Sequence, residues 1–262
     1  QVFIEAYPEP RRQLNYRRLG LCEFDPGAFV RCDGGLHLVS DPIRRPGDVI
    51  AALESPVGEV IDKIKVGMLR VRAVFESEER IFKSPEVPTL DFLRKNLGLG
   101  SSMVERFFTP FYQGIFLSPL EEQSSRMFRY VFKMFAIGAA SLPDRGIGAV
   151  PNQIAMDLPE GGYLVGRKAS ASLAASNQVD PLSASVAGSG VLDKGRGRAG
   201  DSRVTMILKD GREVTSQAVV VATEAPAAVA LLGESVLEGG GRPSSGRSST
   251  CLYFGFDGPP PV

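Results

Sequence analysis

The chain has 262 residues, 43% of them hydrophobic, which is ample material for a buried core. Its 30 basic and 30 acidic side chains cancel to zero formal charge, so no global field favours nucleic acid or an anionic membrane, and partners must be argued from local features. Cys22, Cys32 and Cys251 are widely spaced and contain no CxxC pair, which argues against a disulfide framework and a zinc site and points to a reducing compartment.

Residues 1–40 read as short strands. QVFIEA alternates weakly, and AFVRCDGGLHLV places two apolar runs around Asp33-Gly34-Gly35, a hairpin signal. The single histidine, His37, lies in the second run without a partner and reads as a structural or surface residue, so no metal site is expected. From Pro56 the period becomes helical: Val57, Val60, Ile61, Ile64, Met68, Val71 and Phe75 recur at helical spacing, and Glu59 and Lys63 are placed as an i,i+4 ion pair. Thr89 is placed to cap a short helix through Leu93 and Leu97 that ends at Gly98.

Ser102-x-x-Glu105 has the form of a capping box, Met103, Val104, Phe107, Phe108 and Phe111 continue one apolar face, and Pro110 is expected to kink or end that helix. After Ser124 and Ser125, Met127, Phe128, Val131, Phe132 and Phe135 share a face, with Arg126, Arg129 and Lys133 on the solvated side. Next comes LPDRGIGAVPNQIA, residues 142–155. Gly146-x-Gly148 lacks a third glycine and follows a helix instead of a buried strand, so it fails as a phosphate cradle. Two readings stay open, a plain helix-to-helix turn or a loop whose glycines bring backbone close to a flat ligand.

Beyond residue 160 the period turns to strand. RVTMILKDGREVTSQAVVVAT predicts a strand, a two-residue Asp210-Gly211 turn, a return strand, and a strand buried on both faces over Ala218 to Ala222, with a helix started by Pro226. Residues 177–202 and 238–249 are rich in Gly, Ser and Ala and predict flexible stretches, the second of which precedes a strand in TCLYFGF. No GxxxxGK[ST], HExxH or GxSxG occurs, and one histidine leaves a Ser/His/Asp arrangement a single possible base. No apolar run reaches the roughly 18 residues of a membrane-spanning helix.

RFFTPFYQGIFLSPLEEQSSRMFRYVFKMFAIGAASLPDRGIGAVPNQIA, with the later DGREVTSQAVVVATEAPAAVALLG, resembles the flavin-containing amine oxidase superfamily, and within it the phytoene-desaturase-like and protoporphyrinogen-oxidase-like FAD oxidoreductases of cyanobacteria and plastids. The resemblance spans most of residues 1–176 and 203–255. It implies an α/β chain, an α+β mixture that is the central fragment of a two-domain, glutathione-reductase-like FAD-binding fold with a helical and mixed-sheet substrate domain. Residues 1–55 would start the substrate domain and 56–145 form its helical part. Residues 146–235 would belong to the FAD-binding domain, with the insertion 177–202, and 236–262 would be a linker and return strand.

The resemblance also implies FAD as cofactor and a two-electron oxidation of an apolar small molecule, isoprenoid, carotenoid or tetrapyrrole-like, by hydride transfer to the flavin. It names no catalytic base. Gln1, Val2, Gly146, Ile147 and Gly148 would lie beside the isoalloxazine ring, Lys168 and Ala169 at the adenine, and Ala222, Thr223 and Glu224 at a second FAD contact. Ala169 departs from the family's usual β-branched residue. Phe107, Phe108, Phe111, Tyr112 and Phe116 would line an apolar substrate tunnel or serve as core. Plastid or cyanobacterial cytoplasm, peripheral membrane contact and no nucleic acid complete the expectation. The alternative is a non-catalytic flavin-fold relative that binds an isoprenoid lipid or a protein partner.

Overall fold

A computed structural model describes residues 2–41, 43–159, 169–175, 204–208, 212–216, 219–232, 247–252, 255 and 257–258. The chain mixes helix and sheet in an α+β manner. It divides into two compact units, Gln1–Pro159 and Glu160–Val262. Residues 146–159, which the sequence grouping joins to the stretch up to 235, pack in the first unit.

The first unit opens with β1 (Phe3–Ile4), α1 (Pro8–Gln13), α2 (Tyr16–Leu19) and β2 (Leu21–Glu23). The expected hairpin follows as β3 (Gly27–Cys32) and β4 (Gly35–Ser40), paired from Cys32↔Gly35 to Gly27↔Ser40. Its turn residues Asp33 and Gly34 both have positive φ, 50° and 78°, which is the conformation a two-residue hairpin requires and which Asp and Gly tolerate. Arg106 grips that turn from a distant helix, donating to both carboxylate oxygens of Asp33.

The helical block comprises α3 (Val49–Glu54), α4 (Val60–Phe75), α5 (Glu78–Lys83), α6 (Thr89–Asp91), α7 (Ser101–Met103), α8 (Thr109–Phe116) and α9 (Ser125–Ile137). The elements meet the expectation, but several of their polar details do not. Glu59 caps α4 in a capping box with Asp62, and Lys63 turns away from it to donate to the carbonyls of Leu53 (2.7 Å) and Ser55 (2.6 Å). Thr89 is a fully buried first residue of α6 instead of its cap, and its hydroxyl donates to the Gln123 carbonyl at 3.0 Å. Ser102 forms no capping box: it accepts from the Gly58 amide, while Glu105 pairs with Arg94.

Pro110 neither ends nor breaks its helix. Val104–Phe108 is a π-helical segment that leads directly into α8, with the Thr109 amide bonded back to Val104. The wider turn gives the proline ring the room that α-helical spacing denies it. A second π segment, Phe92–Asn96, continues α6 and ends near Gly98, whose φ is 61°.

The core is built from α4, the 89–108 segments, α8 and α9, with Leu69, Leu93, Val104, Phe108, Leu120 and Phe128 among its buried members. On α9 the expected solvated side is buried in part. Arg129 and Lys133 are each only 8% exposed, because Glu76 supplies a carboxylate to Arg129 and its carbonyl to Lys133. Arg126 is also engaged, donating to the Ser84 carbonyl at 2.7 Å and pairing with Glu86 at 3.5 Å.

Downstream, β5 (Ala140–Pro143) completes a sheet of order β1-β5-β2, and α10 (Ala149–Met156) closes the unit. The second unit holds an antiparallel sheet β6 (Ala169–Ala175), β7 (Val204–Leu208) and β8 (Glu213–Ser216), followed by α11 (Ala225–Leu232) with Pro226 in its first turn. The Asp210-Gly211 turn and all of 177–202 lie outside the described residues. No strand runs through Val219–Ala222: the sheet ends at β8, and Val220 is 76% exposed, so the run lacks the neighbours a doubly buried strand requires. Of the strand expected in TCLYFGF, Thr250–Leu252 are exposed and carry no strand, and most of the rest lies outside the described residues.

Candidate functional site

The glycine loop is fixed at one end by a sheet. In the antiparallel pairing Phe3↔Ser141 and Ile4↔Ala140, β1 lies beside the first half of β5, and Val2 precedes β1 on the side toward which β5 runs into the Asp144–Gly148 loop. The Asp144 amide donates to the carbonyls of Gly20 (3.0 Å) and Leu19 (3.3 Å), and the Gly146 amide closes a turn on the Pro143 carbonyl (2.8 Å). Gly146 has φ 81°, a left-handed conformation that favours glycine.

The other end is clasped by side chain. Gln153 on α10 accepts from the Asn15 amide at 2.7 Å and donates to the Asn15 carbonyl at 3.1 Å, a reciprocal pair across 138 residues. Between the two anchors the loop backbone is open, since a methyl group added at Gly146 or Gly148 would meet no atom within 4 Å. Val2 and Ile147 are both exposed. The arrangement presents backbone and two apolar side chains on a fixed edge.

Asn15 also belongs to an open groove of ≈ 630 Å³ lined by Arg11, Arg12, Gln13, Leu14 and Tyr16. The Glu5 carbonyl organises that wall by accepting from Arg11 Nε (2.8 Å) and the Tyr16 hydroxyl (3.1 Å). Glu5 Oε1 is buried without a hydrogen-bond partner among the described residues. Burial raises the Tyr16 phenol above its ordinary value; Arg11 opposes the shift and Glu5 adds to it, so the group stays a proton donor at neutral pH. Sequence reading missed Glu5, Asn15, Tyr16 and Gln153, and no local motif marks them, because their roles depend on contacts between the two ends of the first unit.

The aromatic set lies elsewhere. Phe108 and Tyr112 are fully buried, and Phe107, Phe111 and Phe116 pack against the same core. Ring centroids of Phe107 and Phe111 are 5.7 Å apart at 8°, those of Phe108 and Tyr112 6.1 Å at 15°, and Tyr112 stands 4.7 Å from Phe128 edge to face. At such separations the rings are in contact, and the set packs as part of the core. Burial pushes the Tyr112 phenol far up, keeping it neutral.

In the second unit Ala169 opens β6 opposite Leu208. Ala222, Thr223 and Glu224 are exposed and lead into α11, whose first turn is set by the Ala228 amide donating to the Glu224 carbonyl at 2.9 Å. Gln1 and Lys168 lie outside the described residues. Among the described residues no group of three or more His, Cys, Asp or Glu side chains could hold a metal, and no helix is long and apolar enough to cross a membrane. No protein-family model, curated protein or solved structure matches this chain.

Proposed function

We propose that this protein works as an FAD-dependent oxidoreductase acting on an apolar small molecule, with the Gly146–Gly148 loop beside the flavin ring. The observation that supports this best is a backbone loop anchored at both ends with open space at both glycines. A flat ring needs an edge that does not move and carries no side chain in its way. Gly146 and Gly148 fit that need, with Val2 and Ile147 as apolar flanks that exclude water from the ring.

The sequence resemblance extends the assignment to Ala169 at the adenine and to Ala222-Thr223-Glu224, where the start of α11 would meet an anionic part of the cofactor. When bound, the flavin accepts two electrons as hydride; the protein supplies position and a dry setting. No side chain is assigned as base.

The test is a visible spectrum of the protein purified without added cofactor, before and after anaerobic photoreduction, alongside Gly148→Leu. Open space at Gly148 means leucine leaves the fold intact while occupying the proposed ring site. A flavin band that bleaches on reduction and is lost in Gly148→Leu supports the reading. A colourless protein, or one that carries only polyene bands, overturns it in favour of a non-catalytic binding module.

A further inference from the structure

The groove where α1 passes into α2 is held in shape by residues that do not line it. Arg11 is fixed through Nε, which donates to the Glu5 carbonyl at 2.8 Å. Tyr16 is fixed twice: its hydroxyl donates to the same carbonyl at 3.1 Å, and its ring meets Phe3 of β1 edge to face, with centroids 5.5 Å apart at 79°. Asn15 is clasped through both backbone groups by Gln153 of α10. At ≈ 630 Å³ the groove has the volume of a small-molecule site.

The groove is also basic. Residues 5–18 carry Arg11, Arg12, Arg17 and Arg18 against Glu5 and Glu9, and neither acid is among the groove's lining residues. Arg12 pairs with Glu9 at 3.0 Å, but both side chains are well exposed, so water screens that pair. Arg11, Arg17 and Arg18 form no ion pair among the described residues. Because Arg11 is tethered to a neutral carbonyl, its charge is not cancelled, and its guanidinium keeps N–H donors to spare. A guanidinium already held in place loses less freedom when an oxyanion arrives.

We propose that this groove binds a small organic anion, a carboxylate or a phosphate borne on an apolar body. Arg11 grips the anionic group, and Leu14 and the Tyr16 ring, which also line the groove, lie against the body. A bare inorganic ion would leave Leu14 and Tyr16 unused. A nucleic-acid strand needs cations spread along its track, whereas these four stand together within residues 11–18. The inference holds whether or not the protein carries a flavin.

The experiment is calorimetric titration of the full chain with phenyl phosphate, benzoate, inorganic phosphate and neutral benzyl alcohol. One of the two aromatic anions is expected to bind at least about tenfold tighter than either inorganic phosphate or benzyl alcohol, and the tighter of the two identifies the anionic group. Arg11→Gln, with circular dichroism and urea unfolding unchanged, is expected to weaken that binding at least about tenfold, and Arg11→Lys to restore only part of it, since lysine keeps the charge and loses the fork. Arg80→Gln, at an exposed arginine of α5 outside the groove, leaves it unchanged. Phenylglyoxal labelling read by mass spectrometry gives a test that needs no variant: the bound anion protects Arg11 and not Arg80. Binding of none of the probes overturns the proposal, as does binding that survives Arg11→Gln or leaves Arg11 unprotected. Inorganic phosphate binding as tightly as both aromatic anions overturns it too, because charge alone then explains the uptake.

Discussion

Helices α4 and α9 carry similar sequence signals, apolar residues at three- and four-residue spacing with Lys and Arg between them, yet they treat those residues in opposite ways. Helix α9 buries Phe128, Val131 and Met134 and takes Arg129 and Lys133 inside as well. Helix α4 buries Leu69 and Ala73 and leaves most of its large apolar side chains in solvent. The difference lies in polar anchors. Asp62 is bonded to the Gly100 and Glu59 amides and Arg70 to Asp41, which sets the rotation of α4 about its axis. Glu76, the residue that ends α4, then receives the two cations of α9. Periodicity identifies an amphipathic helix, and the anchors decide which arc faces inward.

The comparison breaks most visibly at Phe128, which is fully buried and has the rings of Phe92, Phe108, Tyr112 and Phe132 within 6.0 Å of its own. Phe128→Ala removes a large side chain from a site that several aromatic neighbours hold open, so it is expected to cost about 3–5 kcal/mol in urea unfolding. A loss below about 1 kcal/mol would show that α9 is not packed as described.

Next in size is the buried ion pair. Arg129→Met leaves Glu76 with only the exposed Arg72 at 3.4 Å, and the expected loss is about 3 kcal/mol at neutral pH. Burial raises the Glu76 carboxyl, but the hydrogen bond and charge of Arg129, aided by Arg72, outweigh it and hold the group below its ordinary value of 4.5. A carboxyl depressed in the folded state contributes stability above its unfolded value and loses it as pH falls through the folded one. The gap between wild type and Arg129→Met should therefore be full above pH 4.5 and close on acidification. A gap that widens in acid refutes the assignment.

Gly138 ends α9 and sharpens the link from helix to candidate site. A methyl there would stand 2.5 Å from the Ala6 backbone nitrogen and 3.0 Å from its Cα, and backbone cannot swing aside as a side chain can. Gly138→Ala is expected to cost about 1–3 kcal/mol and to displace β1 and Val2 from β5. If the cofactor reading holds, it also weakens flavin retention; hydrogen exchange at the β1–β5 amides reads the displacement directly.

Much of the fold is legible in the sequence, for reasons these residues illustrate. Asp33-Gly34 has the backbone freedom its turn needs, and Pro226 stands in the first turn of α11. What is not legible depends on distant partners. Lys63 has an acid at helical spacing and chooses carbonyls, and Thr89 and Ser102 have the chemistry of caps but bond across the fold. Pro110 signals a break that a π turn absorbs. The candidate site is legible in its glycines alone; the Asn15–Gln153 clasp that holds them joins residues no periodicity connects.

The smallest expected effect is the sharpest contrast with Phe128. Phe75 is the same residue type on the last turn of α4, yet at 83% exposure it has little packing to lose. Phe75→Ser should change unfolding stability by no more than about 0.5 kcal/mol, as for surface positions without special roles, and should lower any tendency of the chain to aggregate. A cost of about 2 kcal/mol or more would mean that the apolar arc of α4 is covered in solution by another part of the chain. A near-zero cost would show that α4 is held by its polar anchors and its buried arc, and that the side chains it leaves in solvent contribute nothing to the fold.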